Sequence, residues 1–204
     1  IGYLMNAPEN TAVEFATDGN ARQFLQGLCS VSGLSNAAIF DMQGNLLVSA
    51  SSGDFTGTGA RNAINQAKNG RPVAIAAPSG NKFYAFAAGI VDGGPRGNII
   101  MMIQMDLSSP DFLRTAVKVP HTEVSIFINE QRIGSTIDTQ GDSSLKNQKI
   151  LDTVYKNNES YIGHTTVNNT DYLAIYSRLT SPDYTEDVMV TVLEVFSYVK
   201  EVYI

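Results

Sequence analysis

A chain of 204 residues can fold as one large domain or two small ones, and either would bury roughly 70% of the surface that the unfolded chain exposes. Hydrophobic residues make up 43% and charged residues 17%, a balance that excludes a disordered chain. A formal net charge of -6, with no Lys/Arg run to offset it, excludes a nucleic-acid backbone as partner.

The first predicted element is a helix from Glu9 to Val31, whose stripe of Val13, Phe15, Ala16, Ala21, Phe24, Leu25 and Leu28 is broken at Asp18-Gly19-Asn20. Cys29 lies in it as the only cysteine, which excludes an intrachain disulfide and a thiolate metal cluster, and its apolar neighbours mark it as a buried, inert thiol. Next, Ala38-Ile39-Phe40-Asp41-Met42-Gln43-Gly44-Asn45-Leu46-Leu47-Val48-Ser49 reads as strand, tight polar turn and strand. A helix over Gly59–Asn69 carries Ala60, Ala63, Ile64 and Ala67 at helical spacing. Strands Val73–Ala77, Phe83 onward and Asn98–Met105 complete the stretch. Ser109 is a good N-cap with Pro110 at the first helical position, so a short connector helix is expected before Pro120.

The same order of signals then returns, displaced by about 88 residues. Ile39 recurs as Ile126, Ala67-Lys68-Asn69-Gly70 as Tyr155-Lys156-Asn157-Asn158, and Phe83 as Tyr172, and the last strand Asn98–Met105 is matched by Asp187–Leu193. Between them lie an amphipathic helix over Leu145–Lys156 and strands Tyr161–Val167 and Tyr172–Leu179. Each repeat reads strand, strand, helix, strand, strand, strand. The expected fold class is therefore α+β: two tandem PAS-like units, each a five-stranded antiparallel sheet with flanking helices, plus an N-terminal helix. The expected boundaries are an N-terminal helical segment 1–31, a first unit 32–112, a second unit 113–195 and an exit helix 196–204.

The second unit carries Ile126-Phe127-Ile128-Asn129-Glu130-Gln131-Arg132-Ile133-Gly134-Ser135-Thr136, then Tyr161-Ile162-Gly163, then Tyr172-Leu173-Ala174-Ile175-Tyr176. That series resembles the extracytoplasmic CACHE sensor domains of bacterial chemoreceptors (methyl-accepting chemotaxis proteins) and sensor histidine kinases. The first unit fits more loosely, through Ile39–Asn45 and Met105-Asp106-Leu107. The resemblance implies a double CACHE arrangement, the first unit membrane-distal and the second membrane-proximal. It further implies a signal-transduction receptor anchored by transmembrane helices outside this sequence, a periplasmic or extracellular location, homodimerisation of the full receptor, and binding of a small organic ligand. The competing reading is a ligand-free structural or dimerisation module of a membrane receptor. With no Trp in the chain, the Trp-containing amino-acid motif of one subgroup is missing, so an amino-acid ligand is not implied.

No catalytic constellation is evident, and neither an enzyme nor a cofactor is expected. His121 and His164 fall in different units with no HExxH, so no metal site is expected. Gly57-Thr58-Gly59 begins like a dinucleotide fingerprint, but Asn62 stands where the third glycine belongs, and a loop entering a helix explains it better. A ligand pocket is easier to place. One face of the strand Tyr172–Leu179 presents Tyr172, Ala174, Tyr176 and Arg178, where the tyrosines offer apolar area with a hydroxyl and Arg178 either clamps a carboxylate or pairs with a surface acid. Arg132, Tyr161 and His164 can join that wall. In the first unit the corresponding face is read as Phe83, Ala85, Ala87 and Gly89, with Arg71, Tyr84 and Asp106 as polar anchors. Asp106 holds a ligand amine or, as the favoured reading, caps the connector turn. The ligand class expected is thus a carboxylate or an amine.

Overall fold

The computed structural model of the protein describes residues 18–52, 55–94, 97–137 and 144–196. Two compact units divide the chain: Tyr84–Asp106 joins the chain up to Gly80 in one, and Asn81–Phe83 joins the chain from Leu107 onward in the other.

In the first unit, helix α1 (Asp18–Ser32) precedes β1 (Asn36–Phe40) and β2 (Leu46–Ser49), helix α2 (Thr58–Lys68) follows, and β3 (Val73–Ser79), β4 (Lys82–Asp92) and β5 (Asn98–Asp106) close the sheet. The strand order is β2-β1-β5-β4-β3. Alternation along the strands gives the sheet two different faces. Ala37, Ile39, Val48, Ile99 and Met101 form a buried cluster with Ala21 and Leu25 of α1, which also takes in part-buried Cys29. The opposite face meets α2. A Cβ on Gly59 would lie 2.5 Å from Ala77 Cβ and 3.1 Å from Phe86 Cε2, so this glycine lets the helix start lie directly on β3 and β4. Close packing, rather than a phosphate, accounts for Gly59.

The second unit repeats the plan. After connector helix α3 (Pro110–Ala116) come β6 (Thr122–Ile128), β7 (Gln131–Ser135), helix α4 (Gln148–Leu151), β8 (Tyr161–Val167), β9 (Thr170–Leu179) and β10 (Val188–Val195). The order β7-β6-β10-β9-β8 is that of the first sheet, strand for strand, and no strand is shared. The Ser109 side chain accepts from Phe112 N at 3.2 Å, capping α3 as its sequence predicts. Asn147 caps α4 by accepting from Lys149 N at 3.1 Å and Ile150 N at 3.4 Å. The helix expected over Leu145–Lys156 is therefore shorter at its start, and it widens into a π turn over Asp152–Lys156. The β8–β9 hairpin turns on Asn168 and Asn169, both with positive φ (50° and 61°), the geometry of a two-residue turn that asparagine tolerates. One side of this sheet buries Phe127, Tyr172, Ala174, Tyr176, Met189 and Leu193 under Ile150 and Val154. The other buries Val124, Ile126, Ile128 and Val188 with Leu113.

Asp18, Gly19 and Asn20, where the sequence predicts a break, are helical as the first described residues of α1; the part expected over residues 9–17, and the exit helix beyond Phe196, lie outside the described residues. Among the described residues, no helix is long and apolar enough to cross a membrane.

Candidate functional site

Each sheet carries a polar-lined cavity on its helix-covered face. In the first unit the register sets Asn36 of β1 opposite Gln104 of β5, and Gln104 opposite Phe86 of β4, so all three side chains share the face toward α2. Asn36 is 2% exposed and Gln104 4%. The Asn36 Oδ1 accepts from Ala37 N at 2.9 Å and from Ser51 N at 3.2 Å, which fixes the amide orientation and leaves Nδ2 as the free donor. That Nδ2 and the Gln104 Oε1 are both buried with no partner among the described residues. Together with Ser35, Ser51, Ser79 and Tyr84 they line a cavity of about 260 Å³, and among the described residues no lining residue is charged. A buried polar atom without a partner costs about 1–3 kcal/mol, so two of opposite kind at one cavity mark a place that a bound water or a ligand group would complete.

In the second unit the cavity is about 280 Å³. A register shift between Ile126 and Phe127 sets Arg132 of β7 opposite Phe127, and the guanidinium carbon lies 5.2 Å from the Phe127 ring centroid. Tyr176 and Thr191 are cross-strand partners, and both line the same space with Ser125 and Thr165. Arg132 Nε and Thr191 Oγ1 are buried without a partner, and among the described residues no carboxylate pairs with Arg132. Burial pulls the Arg132 guanidinium below its ordinary value, since a charge taken from water is disfavoured when no counter-charge replaces it, and the neighbouring Tyr176 only partly offsets this. Burial likewise raises Tyr176, against a lowering by its hydrogen bond with Thr165 and by Arg132.

The residues expected at the sites are distributed unevenly. Arg132 and Tyr176 meet at the second cavity, with the Tyr161 ring 6.1 Å from that of Tyr176 in an edge-on contact. Tyr172 is buried in the same cluster without lining the space. Arg178 is engaged elsewhere: Nη2 donates to Asp187 Oδ1 at 2.5 Å and Nη1 to the Tyr155 carbonyl at 3.2 Å, while its Nε stays buried without a partner. Of the two readings of Arg178, the geometry gives the pairing with an acid. His164 is exposed, on the face opposite Tyr161, its ring edge-on to Phe196 at 4.4 Å. In the first unit Tyr84 lines the cavity, whereas Arg71 is exposed in the loop after α2. Asp106 is buried opposite Tyr84, and the connector turn is capped by Ser109. Phe83 groups with the second unit, its ring edge-on to Tyr184 at 6.0 Å and its N–H donating to Ser108 Oγ at 3.1 Å. The face holding Ala85, Ala87 and Gly89 is paired toward Met105, Ile103 and Met101, away from the cavity.

Comparison with protein-family models and with curated proteins finds no match. Solved structures do match. The sensory domain of the Campylobacter jejuni chemoreceptor Tlp3 (CcmL) superposes with a TM-score of 0.50 at 11% identity, covering 98% of this chain and 83% of that one. The fold is that of bacterial receptor sensor domains. The ligand-binding domain of the same receptor in complex with L-valine gives a TM-score of 0.50 at 11% identity, covering 98% and 82%. The V. cholerae histidine kinase DctB sensor domain matches with a TM-score of 0.47 at 10% identity, over 95% of this chain and 86% of that one. These neighbours are sensory and ligand-binding domains rather than catalytic ones. Among the described residues no group of three or more His, Cys, Asp or Glu could hold a metal ion.

Three buried polar residues at the two cavities, Asn36, Gln104 and Thr191, match no motif. For two of them the signal is a lone polar side chain inside an apolar strand at an inward position: Gln104 interrupts Ile99–Met105, and Thr191 interrupts Val188–Leu193, whereas Asn36 opens its strand.

Proposed function

We propose that the chain is the extracytoplasmic small-molecule-sensing part of a transmembrane signal-transduction receptor of the chemoreceptor kind, with the first unit as its membrane-distal ligand-binding module. The observation that carries the reading is the pair of buried, unpartnered amide atoms, Asn36 Nδ2 and Gln104 Oε1, at one cavity of a sensor fold. One is a donor and the other an acceptor. A ligand group that satisfies both must accept at one atom and donate at a neighbouring one, as a carboxamide or urea does. Because the described lining holds no charged residue, an uncharged ligand is favoured over the zwitterion that a neighbour such as Tlp3 binds in its complex with L-valine. Binding would favour one of two arrangements of the sheet and its flanking helices and so bias the segment that leaves the unit.

Thermal-shift measurements with small amides and ureas test this. A ligand at one hundred times its dissociation constant adds about 2.7 kcal/mol to stability. Asn36→Asp keeps an oxygen to accept from Ala37 N and Ser51 N but replaces the donor with a charge, so it should fold and lose the response. No response from any amide, or an equal response in the variant, removes the first unit's cavity as the ligand site.

A further inference from the structure

We infer that the second unit's cavity is a separate binding site for a short aliphatic monocarboxylate, with Arg132 as its charge partner and Thr191 as its neutral hydrogen-bonding partner. The site shares no residue with the first unit's cavity, so either can fail without the other.

Three features of the cavity define the ligand. First, among the described residues that line it Arg132 is the only charged one, and no acid among the described residues neutralises it. A half-buried guanidinium without a counter-ion is costly unless an anion arrives, and a carboxylate matches its forked donors with two parallel hydrogen bonds. Second, the rest of the wall is divided by chemistry. Thr191, Ser125 and Thr165 supply hydroxyls, while Leu145, Val167 and Leu193 supply hydrocarbon. A molecule with one anionic end and one alkyl end satisfies both parts, whereas inorganic phosphate satisfies only the first. Third, a single positive charge balances a single carboxylate; a dicarboxylate would bury a second negative charge against Leu145, Val167 or Leu193, which is strongly disfavoured. The volume of about 280 Å³ equals about nine waters at ~30 Å³ each, which suits an acid of a few carbons rather than a long-chain one.

The position of Arg132 also explains why the cavity is preformed. The register shift at Ile126/Phe127 brings the guanidinium over the Phe127 ring, which holds it against the sheet without consuming its hydrogen-bond donors. Thr191 stands in the central strand β10, 1% exposed, with its oxygen unpartnered.

Isothermal titration of the whole chain with sodium butyrate, pentan-2-one and sodium phosphate tests the assignment. Butyrate should give a saturable heat; pentan-2-one, nearly the same shape without the charge and without the N–H that the first unit's cavity calls for, and phosphate, the charge without the alkyl end, should not. Arg132→Gln should weaken butyrate roughly 10- to 100-fold, the scale of a lost charged hydrogen bond. No heat with butyrate, equal affinity for pentan-2-one or phosphate, or an unchanged affinity in Arg132→Gln would each overturn the site. Should Arg132→Gln fail to fold, Thr191→Val removes only the hydroxyl and must still weaken butyrate several-fold; an unchanged affinity there overturns the inference equally.

Discussion

Replacing Thr191 with valine should make the ligand-free protein more stable, the opposite of the usual result for a buried residue in a central strand, where substitutions typically cost about 1 kcal/mol. Thr191 sits between Ser125 of β6 and Tyr176 of β9, and its hydroxyl oxygen is buried with no partner among the described residues. An unsatisfied buried hydroxyl costs about 1–3 kcal/mol. Valine keeps the β-branched shape that a strand favours and puts a methyl where the hydroxyl was, beside a cavity that gives it room. The expected net gain is about 1–2 kcal/mol, and a domain of 60–100 residues gains roughly 4–8 °C in Tm per kcal/mol. Urea unfolding of ligand-free protein should show a higher midpoint at an unchanged slope. A midpoint at or below that of the parent would refute the reasoning, because it would mean that the hydroxyl already has a partner worth keeping.

Three further outcomes are expected. Gly134→Ala should destabilise the second unit by about 1–3 kcal/mol in the same urea assay, because a Cβ there would collide with the Ser108 carbonyl oxygen and β7 would have to move; parent-like stability would show that the segment yields freely. Arg178→Ala should cost no more than about 1 kcal/mol, the loss of a partly exposed pair with Asp187, and leave butyrate affinity unchanged; a large loss of affinity by calorimetry would return Arg178 to the site. The Asp41 carboxyl, hydrogen-bonded by the side chain and backbone of Asn45 and by Gln43 N, is held below the usual carboxylate range, so its contribution is full above the ordinary Asp value and lost only as pH falls through the lowered one. An NMR titration of Asp41 with a midpoint at or above the ordinary value would contradict that.

The sequence by itself determined the order of elements, the duplication and the inward face of β9, because these depend on local periodicity. Period-two alternation in Tyr172–Arg178 sets which side chains travel together, and the Ser109-Pro110 start and the polar turn at Asp41–Asn45 need no distant partner. What it could not fix was the face of β4. Aligning Phe83 with Tyr172 puts Ala85 and Ala87 toward the cavity, but the structure places Tyr84 and Phe86 there, and in a strand a one-residue shift moves every side chain to the other side.

Tertiary structure alone decided which polar groups end up paired. Arg178 and Arg132 look equally able to clamp a carboxylate in the sequence, yet Asp187 takes the first and leaves the second without an acid. Asn36 and Gln104 stand far apart along the chain and become neighbours only when β1 and β5 join. Hydrogen-bond satisfaction belongs to the whole set of surrounding atoms. For that reason the fold could be read from local pattern, whereas the vacant donors and acceptors at the two cavities appear only once the sheets have closed.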